Sequence, residues 1–167
     1  MEQSAERTGR DEIRYTDEPI PLREYAGLVA LFNVALAGGL AVAERSGRPI
    51  PARLTPGDVV LLSIATHKLS RLITKDRVTS FARAPFTRYE EPAGHGELEE
   101  HARGRGMRRA IGQLLVCPYC IAQWVAAGFT VGIVAAPRVT RLLAGMFTMV
   151  AAADFLHLAY KAAEKRA

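Results

Sequence analysis

Cysteine is nearly absent. The 167 residues hold two, Cys117 and Cys120, and both belong to one four-residue motif. A quinone-coupled membrane thiol oxidant needs a second cysteine pair to pass its electrons on, so that class is excluded. Two cysteines are also only half of a tetrahedral zinc site. The first 24 residues lack a short apolar stretch ending in a small-residue cleavage site, which argues against a cleaved secretory signal. The first apolar segment is then expected to act as its own insertion signal. No internal repeat and no pair of interrupted apolar helices is visible, so a secondary transporter would lack its usual architecture. The longest apolar segments also lack a charged face. Helices of a soluble bundle alternate apolar and polar faces at helical spacing, and these do not.

Nearly half of the chain is hydrophobic (49%), and its 22 basic and 17 acidic residues are pushed into the gaps between apolar blocks. Residues 25–43 are 19 in a row without a charge. A helix needs about 20 such residues to cross a bilayer core. Residues 110–137 run for 28 without a charge. Pro118 and Pro137 divide them into a lead-in, 110–117, and a helix, 118–136. Residues 142–160 are interrupted only by Asp154 and His157. Residues 57–74 carry Asp58 at one end and His67, Lys68 and Arg71 toward the other. Basic side chains near a helix end snorkel to the interface, so a span is expected here rather than a helix lying on the surface. The expectation is an all-α polytopic membrane protein with four transmembrane helices. A polar tail covers 1–24, a central loop 75–109 and a basic tail 161–167.

Charge gives the threading. With four spans, the N-terminal tail, the central segment with the end of the second span, and the C-terminal tail share 17 lysines and arginines, while the other two loops hold 5. Basic loops stay on the cytoplasmic side, so both termini and the central segment are expected there. Within residues 76–92, Arg77, Arg83 and Arg88 are interleaved with Phe81, Phe86 and Tyr89. That pattern suits an amphipathic segment on the inner leaflet, where anionic lipids attract arginine and rings lie at the interface. Nucleic acid is the other use of such a pattern, and it is discounted because the segment is tethered between two spans. Residues 93–106, glycine-rich and mixed in charge, read as a flexible loop.

Two constellations carry chemistry. Cys117-Pro118-Tyr119-Cys120 opens the third span, with proline at the first helical position and Cys117 as its N-cap. Backbone N–H groups and the positive helix end favour a thiolate there. The four letters match the glutaredoxin motif, but the βαβ context is missing, and a cytoplasmic setting keeps thiols reduced. Structural thiols are the favoured reading, with redox exchange and zinc binding as alternatives; His67 and His157 would complete a zinc site. In the second span, Ser63, Thr66, His67, Ser70, Arg71 and Thr74 fall on one helical stripe. In the fourth, Asp154, His157 and Lys161 follow i, i+3, i+7. A carboxylate about 9 Å inside the helix end is costly unless paired. Asp154 is therefore expected to face the second span and pair with Arg71 or Lys68, as helix glue rather than as a proton or ion relay. Gly128 and Gly132 suggest a small-residue packing face, Asn33 a hydrogen bond across helices, and Trp124 an interfacial anchor.

Residues 65–92 and 112–126 together resemble a known family, the small bacterial membrane proteins catalogued as domain of unknown function thirteen-sixty, which includes a sporulation-associated member. The residues that carry the resemblance are Thr66, Arg71, Leu72, Asp76, Arg77, Val78, Thr79, Arg83, Pro85 and Phe86, then Cys117, Pro118, Cys120 and Trp124. It extends over roughly residues 57–160. It implies a bacterial plasma (inner) membrane protein and brings no established activity. The expected function is a non-enzymatic scaffold or interaction subunit that meets anionic lipids and another membrane protein or itself. The alternative is a thiol-redox or metal-binding membrane protein that uses Cys117 and Cys120.

Overall fold

A computed structural model describes residues 20–45, 47 and 49–166. Most of the expected polar tail, residues 1–19, lies outside the described residues. Six helices and one hairpin follow in the order α1 (Leu22–Arg45), α2 (Pro56–Thr74), α3 (Ser80–Arg83), β1 (Thr87–Gly94), β2 (Glu97–Ala102), α4 (Gly106–Val116), α5 (Pro118–Ala135) and α6 (Pro137–Glu164). Three of them, α1, α5 and α6, are long and apolar enough to cross a membrane. The expected second span exists as the 19-residue α2, but Asp58, Lys68 and Arg71 set it apart from those three.

Proline sets three helix starts. Pro56, Pro118 and Pro137 each stand at the beginning of a helix, where a missing N–H costs nothing and a fixed φ helps. Pro137 also corrects the expected loop before the last span. The α6 helix begins there, with only Ala136 between it and the end of α5, and runs for 28 residues. Arg141 is therefore a helical residue, not a loop residue. The turn is closed by the Ala136 N–H donating to the Gly132 carbonyl at 2.8 Å.

The long helices alternate in direction. The α1 helix runs parallel to α5, with Phe32 edge-on to Trp124 (ring centroids 5.3 Å apart) and Ala43 against Ile133 and Val134. The α2 helix runs parallel to α6, from Asp58–Arg141 at one end to Lys68–Asp154 at the other. It packs on α5 as well, where Phe129 lies on the core formed by Leu62, Ala65 and Ala144. Small residues make the closest contacts, since Ala65 and Ala144 are fully buried. Asn33 does not cross between helices; its side chain donates to the Val29 carbonyl one turn back, at 2.8 Å. Gly132 meets Thr140 of α6, and Gly39 of α1 meets Val131, whereas a Cβ at Gly128 would meet nothing within 4 Å.

The central segment departs most from the expectation. It is neither one amphipathic stretch nor a flexible loop, and the fold is not all-α. Residues 87–102 form a two-stranded antiparallel hairpin, with Thr87 opposite Ala102 and Gly94 opposite Glu97. Gly94, His95 and Gly96 all take positive φ and make its turn. Together with α3 and α4 the hairpin forms a polar cap over the end of the bundle where α2 stops and α5 starts.

Candidate functional site

Arg83 organises the cap. It is 1% exposed and donates from Nε to Glu100 at 2.5 Å, from Nη1 to the Ile73 carbonyl (2.9 Å) and Thr79 Oγ1 (2.8 Å), and from Nη2 to the Asp76 carbonyl (3.0 Å). Thr87 donates to the other Glu100 oxygen at 2.9 Å. A planar guanidinium with five donors suits such a hub, which ties the end of α2 to both strands. The sequence placed Arg83 against inner-leaflet lipid; it faces inward instead, because its charge is met by Glu100. Two more pairs run beside it. Arg71 makes a two-pronged contact with Glu97, and Lys75 Nζ lies 2.6 Å from Glu99. The acids of β2 thus neutralise the basic end of α2. The Leu98 N–H also donates to the Lys75 carbonyl, and the Arg77 N–H to Gly96.

The other residues assigned to lipid stay at the surface. Phe81 is 77% exposed and neighbouring Val78 is 81% exposed, with Arg77, Arg88 and Tyr89 also exposed. Phe86 is half-buried, and its carbonyl accepts from the Arg103 N–H at 2.9 Å.

The expected intramembrane pair is present as Lys68 Nζ to Asp154 at 2.5 Å. Arg71, the other partner considered, is taken by Glu97. The expected polar stripe on α2 is split: Ser70 and Thr74 are buried and donate to their own helix's carbonyls, while His67 stays exposed. His67 and His157 line a cleft of about 620 Å³ between α2, α6 and the hairpin turn, with His95 and Glu97 at its rim. At the opposite end of the bundle Arg141 bridges Asp58 with bonds of 2.7 and 3.0 Å, a pair the sequence reading did not find. Among the described residues no cluster of three or more histidines, cysteines and acids has a geometry that would hold a metal, so His67 and His157 do not gather around the cysteines.

Cys117 is the N-cap of α5, as expected, and its sulfur accepts from the Cys120 N–H at 3.2 Å. The two sulfurs lie at disulfide distance, in place of the two separate thiols favoured by the sequence. One helical turn brings positions i and i+3 to the same face, which makes the approach sterically easy. Cys120 is exposed, and Tyr119 is 89% exposed.

The model of a family described as a protein of unknown function (DUF1360) matches residues 61–160, the stretch from α2 to α6 that holds the cap and the cleft. The chain belongs to this family. A curated relative, the sporulation protein YjcA of Bacillus subtilis (strain 168), is 37% identical over 76 residues, 44% of this chain and 64% of the relative. The chain therefore spans less than two thirds of that relative's length. No solved structure matches. The α1 helix lies outside the DUF1360 match, whereas the Arg83 hub and the Cys117–Cys120 turn lie inside it.

Proposed function

We propose that this chain is an integral inner-membrane protein whose cap serves as a non-enzymatic scaffold, a rigid platform on which another membrane protein docks. The observation that supports its membrane setting is an inverted distribution of side chains. Val34, Leu142, Met149 and Leu156 are at least 68% exposed, while the charges of α2 and α6 are drawn into the Lys68–Asp154 and Asp58–Arg141 pairs that join the two helices, each with one half-exposed partner. Water would reverse that arrangement; hydrocarbon favours it. In this reading α2 crosses with the other three, its charges met by α6 and the hairpin. Both termini and the cap are cytoplasmic, and Val78 and Phe81 enter the headgroup layer with Arg77 and Arg88 on anionic lipid. The relative's name adds sporulation as the setting in which to look for the docked protein.

Single cysteines on a Cys117→Ser/Cys120→Ser background test the threading. An impermeant maleimide is expected to label Arg53→Cys from outside intact cells, and Glu91→Cys and Lys165→Cys only after permeabilisation. Labelling of Arg53→Cys and Glu91→Cys from the same side would remove α2 as the fourth span. Recovery of folded protein without detergent would remove the membrane.

The sulfur–sulfur approach favours a second reading, a dithiol–disulfide centre. Cys117 would be the attacking thiolate, favoured by the Cys120 N–H and the helix end, and exposed Cys120 would resolve the mixed disulfide formed with a partner protein. Alkylation in cells before lysis is expected to find both cysteines blocked until reductant is added. Two freely alkylated thiols, with no metal bound, would leave only the structural role. Stoichiometric zinc that vanishes in the double serine variant would replace redox with metal binding.

A further inference from the structure

We propose that the cleft between α2, α6 and the hairpin turn binds one phospholipid headgroup that carries both a phosphate and an ammonium, with its acyl chains laid along α6. The inference rests on the membrane reading above and adds a ligand to it. Helix length sets the depth of the cleft. At 1.5 Å per residue a 28-residue α6 is about 42 Å long, against about 30 Å of hydrocarbon. Arg138 and Arg141 hold its first turns near one interface, so its last turns project through the other, into the headgroup layer. Those last turns form one wall of the cleft.

Size and chemistry agree with that depth. A volume of about 620 Å³ is ample for a phosphate–ammonium headgroup and the start of its chains. Two ion pairs, Lys68–Asp154 and Arg71–Glu97, neutralise each other and build the walls. The groups left over are of both signs. Among the described residues the side chains of Lys161, His67 and His157 have no ion-pair or hydrogen-bond partner, and neither has the Glu164 carboxylate. Lys161 and the imidazoles suit a phosphate; Glu164 suits an ammonium. With Asp76 also on the wall, four carboxylates face three lysines and arginines, and that lining discriminates against a purely anionic lipid. Phe155 (66% exposed) and Leu158 (47%) continue the cleft as an apolar track for the acyl chains.

The test uses the full chain, delipidated in detergent. It is titrated with dihexanoyl phosphatidylethanolamine, dihexanoyl phosphatidylglycerol or inorganic phosphate, and occupancy is read by native mass spectrometry. One phosphatidylethanolamine is expected to bind saturably, about tenfold more tightly than phosphatidylglycerol, with phosphate alone not retained. Lys161→Gln is expected to weaken both lipids at least tenfold. Glu164→Gln is expected to weaken only the ammonium lipid and so remove the preference. Since neither side chain has a partner, both variants should melt with the wild type. Equal binding of the two lipids, retention of phosphate as tightly as lipid, non-saturating uptake, or variants that bind like the wild type would each overturn the proposal. The membrane reading would stand through any of these, since its own failure shows as solubility without detergent.

Discussion

Replacing Arg83 by methionine is expected to open the cap while the long helices stay folded. The change strands Glu100, 9% exposed, as a charge without its cation, and it removes the donors of the Ile73 and Asp76 carbonyls. Breaking a buried pair from one side costs about 3–5 kcal/mol, most of it the penalty of the charge left behind. Hydrogen exchange reads this locally. The amides of Arg77, Leu98 and Arg103 donate to Gly96, Lys75 and Phe86 and exist as protected groups only while the cap is closed. Their exchange should speed up by roughly two to three orders of magnitude, since each 1.4 kcal/mol is about tenfold, while amides in the middle of α5 keep their rates. Adding Glu100→Leu to the methionine variant should restore part of the protection, because an apolar pair of similar volume replaces a buried ion pair at little cost. A change below tenfold in the single variant, or no recovery in the double, would mean that the hub does not hold the cap.

The parts of the fold dictated by local chemistry were legible in the sequence. Charge-free runs gave α1 and α5, the proline of the cysteine motif gave its helix start and N-cap, and an acid placed deep in an apolar helix required a cation on a neighbour, found as Lys68. The cap was not legible, because its logic is long-range. Glu97, Glu99 and Glu100 look like solvated acids until Arg71, Lys75 and Arg83 are brought to them across 17 to 26 residues. The inward face of β2 alternates Leu98 with Glu100, so a period-2 pattern of apolar residues never forms. One signal was present. The Gly94-His95-Gly96 run sits between two segments that pair by turn geometry, and glycines at that spacing supply the positive φ a tight turn requires. The boundary between α5 and α6 was missed for a related reason. Arg138 and Arg141 read as loop charges, although Arg141 is held in a helix by buried Asp58.

Gly112 carries the second large effect, and two other glycines calibrate it. It lies in the middle of α4, where alanine normally stabilises a helix by about 1 kcal/mol. A Cβ there would overlap the Phe86 carbonyl oxygen and lie 2.9 Å from the Ala102 Cβ. Ala102 belongs to the hairpin and Phe86 immediately precedes it, and the nearer contact is backbone, so no rotamer change relieves it. Overpacking of this kind costs about 1–3 kcal/mol and outweighs the helix propensity. Gly112→Ala is therefore expected to destabilise the cap by up to about 2 kcal/mol net, and Gly112→Val to detach α4 from the hairpin. Gly128→Ala, with nothing within 4 Å of the added methyl, should be neutral or slightly stabilising. Gly132→Ala should fall between them, since what it meets is the Thr140 side chain, at 2.8 Å from its hydroxyl. Unfolding in mixed detergent micelles, followed by cap hydrogen exchange, ranks the three. A Gly112→Ala protein as stable as Gly128→Ala would show that α4 does not seat its backbone on the hairpin, and the cap would lose its contact with the start of α5.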